Sequence, residues 1–100
     1  MNNAIITSDG IELGIQVSSR EQAVRLCGEK LLRVGAITPE YISAMWEREN
    51  IVSSYIGEGL AIPHGTNESR VHVLEPRIVF LRFDRPVDWE GELVTIAVGI

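Results

Sequence analysis

The sequence predicts an α/β fold, with α+β as the open alternative: a mixed β-sheet of about four or five short strands covered by helices, C-terminally incomplete. Three observations predict it. Two helical patterns sit side by side between Ser19 and Asn50. From Ile51 onward the apolar spacing changes to period two and then to continuous runs. The two densest runs, Arg77 to Phe83 and Leu93 to Val98, are apolar enough for burial on both faces, as in a sheet covered by helices.

In chain order, the first apolar pieces are Ile5-Ile6 and Ile11 to Val17, with Asp9-Gly10 as a turn between them; a short strand is expected near Ile11 to Ile15. Ser19-Arg20-Glu21-Gln22 reads as a capping box, in which Ser19 accepts from the Gln22 amide and the Gln22 side chain returns to the Ser19 amide. Ala23, Leu26, Cys27, Leu31 and Val34 recur at helical spacing, and Gly35 ends the helix as a left-handed cap. Cys27 falls on the buried stripe and reads as a small hydrophobe. Thr38, Pro39 and Glu40 then announce a second helix as N-cap, first position and dipole-complementing carboxylate. Its stripe is Ile42, Met45 and Trp46, it fades near Asn50, and the two helices should pack as a hairpin. Leu60-Ala61-Ile62 is one short strand, and the two apolar runs are two more. Asp84-Arg85-Pro86 and Trp89-Glu90-Gly91-Glu92 carry the turn residues between those two, leaving Trp89 partly exposed. The run ends at Gly99-Ile100 without a polar tail, which reads as a cut.

Length bounds the organisation: 100 residues suit one domain, 1–100. A formal net charge of −5 argues against nucleic acid or an anionic membrane as partner. The single cysteine excludes an internal disulfide and suits a reducing cytosol. Met1 to Gly14 lacks the basic and apolar regions of a secretory signal, and no apolar run approaches the ~20 residues of a membrane span. The expectation is a cytoplasmic protein with no direct membrane insertion.

One stretch carries chemistry. Tyr55-Ile56-Gly57-Glu58-Gly59-Leu60-Ala61-Ile62-Pro63-His64-Gly65-Thr66 reads as a glycine-punctuated turn, a short strand and a stop at Pro63 with a histidine on it. Gly65 lets the backbone beside the ring turn sharply or be approached closely. On turn chemistry alone, a histidine in a Pro-His-Gly turn is more often simply a solvated turn residue. Phosphoryl transfer to a histidine needs a neutral imidazole with one nitrogen free, the other donating to a fixed acceptor, and donors for the equatorial oxygens. His64 can be the nucleophile, and the amides of Gly65 and Thr66, with the Thr66 hydroxyl, are candidate donors. His72 reads as exposed. No spacing or second cysteine makes a zinc site with His64.

Ile56-Gly57-Glu58-Gly59-Leu60-Ala61-Ile62-Pro63-His64-Gly65 resembles the active-site signature of the type-2, mannitol/fructose-family IIA domains of the bacterial phosphoenolpyruvate-dependent sugar phosphotransferase system. Gly65-Thr66-Asn67-Glu68-Ser69-Arg70 and Ile96 to Ile100 also look mannitol-like, and the resemblance runs from about the first helix to the end. It implies that His64 carries a phosphoryl group. It gives Arg48, in Glu47-Arg48-Glu49-Asn50, the role of stabilising phosphoryl charge; on sequence alone Arg48 is a solvated cation at a helix C-terminus. Glu58 matches an acidic family position and is a candidate acceptor for the second ring nitrogen, although a carboxylate close by repels phosphate.

The implied function is that of a phosphocarrier, a phosphotransferase in chemical type. It takes the group from the histidine-phosphocarrier protein and passes it to a IIB domain or subunit of a mannitol- or fructose-type permease, with no cofactor and no metal. The alternative is a IIA-like regulatory module of the nitrogen-related or transcription-regulator kind, switched at the same histidine; a third reading is an inactive fragment. Family members continue past the strand matching Leu93 to Ile100, to a second histidine and further helices that have no counterpart in this sequence. An apolar last strand with an open edge then makes self-association an expectation.

Overall fold

The computed structural model describes residues 4–100, so Met1 to Asn3, the start of the Met1 to Gly14 stretch that reads as lacking a secretory signal, lie outside the described residues. A 3-10 turn at Ser8–Gly10 leads into β1 (Ile11–Ile15), followed by α1 (Arg20–Arg33) and α2 (Glu40–Ile51). Then come β2 (Tyr55–Gly57), β3 (Leu60–Ala61), a 3-10 helix at Asn67–His72, β4 (Val79–Trp89) and β5 (Glu92–Gly99). The strands form one mixed sheet in the order β1-β4-β5-β3-β2. β1 runs parallel to β4 and β3 parallel to β5, while β4–β5 and β2–β3 are antiparallel. The expected α/β class and mixed sheet are what the chain forms.

Local chemistry explains the helices. Ser19 Oγ accepts from the Gln22 amide at 3.1 Å, as the capping box requires. The return bond differs from expectation: Gln22 Oε1 accepts from the Ser18 amide at 2.7 Å and the Ser18 hydroxyl at 3.0 Å, one residue earlier. Gly35 takes φ +82°, and the Ala36 amide reaches back to the Leu31 carbonyl at 3.0 Å, which closes α1 as a left-handed cap does. Thr38 does not cap α2 with its side chain. Pro39 is already helical at φ −56°, and the carbonyls of Thr38 and Pro39 accept from the amides of Tyr41 and Ile42. The buried stripe of α2 is Tyr41, Met45 and Glu49, with Ile42 and Trp46 half-buried beside it.

One face of the sheet meets the helices. Val79, Leu81 and Phe83 of β4 pack with Ala23, Val24, Cys27 and Leu31 of α1 and Met45 of α2. Each such large side chain contributes about 1.5–3 kcal/mol on burial. On the other face Phe80 pairs with Val98, Ile11 with Phe80, and Arg82 with Ile96, and these are half-buried or exposed. Burial on both faces, expected from apolar density, is therefore not what β4 and β5 show. Nor does β5 have an open edge: it lies between β4 and β3, and the edges belong to β1 and β2.

Two turn assignments also change. Asp84-Arg85-Pro86 is not a turn; β4 runs through it, exposed, with its register slipping between Arg82 and Val87. Proline has no N–H to give a ladder, and a bulge is where a strand tolerates it. The reversal is at Glu90 and Gly91, with φ of +54° and +94°, the left-handed pair of a tight hairpin. Trp89 precedes that turn but is fully buried, because its indole N–H finds a buried carboxylate, Glu49 Oε2, at 2.9 Å.

Candidate functional site

His64 stands just beyond the end of β3. The segment is held on both sides: the Ile62 amide donates to the Ser54 carbonyl at 3.0 Å, and the Pro63 carbonyl accepts from the Ile100 amide at 3.1 Å. Pro63 itself is fully buried. His64 Nδ1 lies 2.8 Å from the Ile62 carbonyl oxygen. A carbonyl only accepts, so this contact puts the proton on Nδ1 and leaves the Nε2 lone pair uncommitted. Backbone supplies the fixed acceptor that sequence reasoning offered to Glu58. Glu58 is exposed at φ +55° in the β2–β3 turn and lines neither depression at His64.

His64 borders two depressions. One, of about 380 Å³, is lined by Arg48, Ile51, Gly65, Thr66, Asn67 and Glu68. Arg48, expected near the histidine, shares this space with it. Its Nη1 also donates to the Val52 carbonyl at 2.7 Å, so the guanidinium closes the C-terminus of α2 while bordering the site. The other depression, of about 450 Å³, is largely apolar, with Tyr41, Ile37, Ile78 and Ile100 in its wall and Arg70 and Arg77 at its polar side.

The two candidate amide donors differ. The Gly65 amide donates to Tyr41 Oη at 2.9 Å, and that hydroxyl donates to the Ile100 carbonyl at 3.2 Å. Gly65 N–H is thus engaged, contrary to its expected role as an oxygen donor. What Gly65 provides is clearance, since a Cβ there would lie 2.5 Å from Tyr41 Cε1 and from Ser69 Oγ. The Thr66 carbonyl accepts from the Ser69 amide and hydroxyl, while among the described residues the amides of Thr66, Asn67 and Glu68 meet no acceptor. All three residues line the first depression. His72 is half-buried, lines neither depression, and gives its carbonyl to the Thr38 amide at 2.9 Å.

Sequence reasoning missed two residues. Tyr41 was legible as part of the α2 stripe at i−4 from Met45, but its hydroxyl's reach to Gly65 is tertiary. Glu49 is 2% exposed and receives Ser54 N at 2.8 Å, Ser54 Oγ at 2.6 Å and Trp89 Nε1 at 2.9 Å. A Glu four residues beyond Met45 on the buried stripe was the available signal.

A mixed five-stranded sheet carrying a tautomer-fixed histidine beside an arginine narrows the class of protein, and comparison with known proteins supplies the family. The family model described as phosphoenolpyruvate-dependent sugar phosphotransferase system, EIIA 2, matches residues 4–100, and the chain belongs to that family. Among its relatives is the mannitol-specific phosphotransferase enzyme IIA component of Staphylococcus aureus (strain Mu50 / ATCC 700699). The two are 42% identical over 96 residues, which are 96% of this chain and 67% of the relative. The crystal structure of IIA mannitol from Escherichia coli superposes with a TM-score of 0.90 at 36% identity, over 94% of this chain and 69% of that one. IIAMTL in its complex with phosphorylated IIBMTL from Escherichia coli matches with a TM-score of 0.89 at 34% identity, over 94% and 67% of the two chains. No helix among the described residues is long and apolar enough to cross a membrane.

Proposed function

We propose that this chain is a phosphocarrier domain, residues 1–100 acting as one unit, in which His64 receives a phosphoryl group through Nε2 and passes it on in mannitol-type sugar uptake. The observation that carries the reading is the Nδ1–Ile62 carbonyl contact at 2.8 Å, which leaves Nε2 free at the depression shared with Arg48. The donor is the histidine-phosphocarrier protein. Its N–P bond breaks as His64 Nε2 forms a new one, and the electron pair returns to the donor imidazole. The His64 ring, retaining its Nδ1 proton, becomes cationic, and the Ile62 carbonyl dipole faces that developing charge. Arg48 meets the equatorial oxygens as a planar fork of donors, together with the amides that begin at Thr66.

The acceptor is a cysteine thiolate on a IIB domain. Sulfur attacks phosphorus, the Nε2–P bond breaks, and the lone pair returns to Nε2. The likeness to the IIA chain of the complex with phosphorylated IIBMTL supports this direction of transfer. The exchange takes place in the cytoplasm and needs no metal. Incubation with phosphoenolpyruvate and the general phosphotransferase proteins should yield an acid-labile, base-stable adduct. His64→Ala abolishes it and His72→Ala keeps it; label retained in the His64→Ala protein would sink the reading.

Self-association, if it accompanies this role, runs through the open sheet face rather than an edge of β5. Ile11 and Leu13 are 42% and 59% exposed there, next to half-buried Phe80.

A further inference from the structure

We infer that Glu49 is a positioning residue for His64, acting through three consecutive hydrogen-bonded links. The inference rests on the phosphoacceptor reading of His64. Glu49 Oε2 and Oε1 hold the amide and hydroxyl of Ser54 at 2.8 and 2.6 Å. The Ser54 carbonyl holds the Ile62 amide at 3.0 Å, and the Ile62 carbonyl holds His64 Nδ1 at 2.8 Å. The links join the end of α2, the loop before β2, the end of β3 and the reactive ring. The same turn of α2 carries Arg48, whose guanidinium is held by the Val52 carbonyl at 2.7 Å.

The choice of residue supports this role. A buried carboxylate carries a desolvation cost that an apolar side chain of similar volume avoids. Here it answers three donors, the third being Trp89 Nε1 at 2.9 Å, with Arg20 Nη1 at 3.7 Å and the Arg20 guanidinium 4.9 Å over the Trp46 ring. An apolar residue would strand the Ser54 amide and the indole, and would release the loop whose carbonyl aligns Ile62. The clamp depends on where acceptors lie. The substitution Glu49→Gln satisfies it equally, since the amide oxygen can take the Ser54 N–H and the indole while the amide NH₂ donates to a rotated Ser54 hydroxyl.

The test reads the His64 ring nitrogens by ¹⁵N NMR, beside the phosphoryl transfer rate. The unsubstituted protein should show a protonated Nδ1 and a bare Nε2, as the Ile62 carbonyl contact requires. Glu49→Ala should move both nitrogens toward the averaged shifts of free histidine and slow transfer about 10–100-fold, as loss of an orienting partner does. Glu49→Gln should restore both. Trp89→Phe, which removes the indole donor and part of the buried ring but neither Ser54 contact, should lower the melting temperature and leave the ring nitrogens in place. A folded Glu49→Ala protein with unmoved nitrogens overturns the inference, as do Glu49→Gln shifts that match those of Glu49→Ala. Where Glu49→Ala fails to fold, Ser54→Ala replaces it: partial averaging supports the clamp and unmoved nitrogens overturn it. Label on a residue other than His64, with ring shifts that still follow Glu49, would defeat the phosphocarrier reading and leave the clamp standing.

Discussion

Tyr41 secures the His64 turn with a single hydroxyl, accepting from Gly65 N–H at 2.9 Å and donating to the Ile100 carbonyl at 3.2 Å. Tyr41→Phe leaves both backbone groups without that partner, and each group so stranded costs about 1–3 kcal/mol when buried. We expect a lower urea midpoint at unchanged slope, and an unchanged midpoint would mean that water replaces the hydroxyl. The role proposed for Arg48 predicts a larger effect on transfer than on stability. Arg48→Lys keeps the charge but loses the planar fork, so transfer should slow by about tenfold, less than the 10²–10³ that losing a donor outright costs. Rapid-quench rates at wild-type level would leave Arg48 as no more than the C-terminal closure of α2. Cys27 is fully buried, and burial, with Glu49 adding to it, pushes its thiol up to about 12. The thiolate is the reactive form, so the native protein should resist thiol reagents at neutral pH and label only on unfolding. Fast native labelling would contradict that burial.

α1 is the element on which the helix-covered face depends, and its sequence announced it well. The capping box, the three- and four-residue spacing and Gly35 are local signals, and each corresponds to an observed bond or dihedral. Leu31, 1% exposed, fills the space between α1 and the sheet, so Leu31→Ala should cost about 2–5 kcal/mol, read from chemical unfolding. A loss well below 1 kcal/mol would show that the helix can settle into the gap. β4 was less legible. Its middle carries Asp84, Arg85 and Pro86, which are turn residues by composition, and only pairing with β5 keeps the strand going through a bulge. Trp89 was misplaced for a related reason: neighbouring polar turn residues suggest exposure, whereas its burial is decided by an acceptor 40 positions away in sequence.

At the scale of the whole molecule, the sheet's second face sets the expected behaviour in solution. Ile11, Leu13, Phe80 and Val98 share it with Arg82, and apolar area left open at a sheet face favours association. Sedimentation should show mass rising with concentration, and Leu13→Glu should shift it toward monomer without lowering the melting temperature. A monodisperse parent protein across that range would remove self-association from the reading. Taken alone, the sequence determined what local chemistry governs: the start and the stop of α1, the short strand before Pro63, the histidine placed at its end, and the family motif around it. The tertiary structure decided the rest, because those outcomes depend on groups far apart in the chain. Only the folded sheet places β5 between β4 and β3. Only it shows that Ile62, and not Glu58, takes the ring N–H, that Tyr41 engages Gly65, and that Glu49 is buried under three donors. Each is a partner choice made through space, where hydrogen-bond geometry and burial, rather than spacing along the chain, set the free energy.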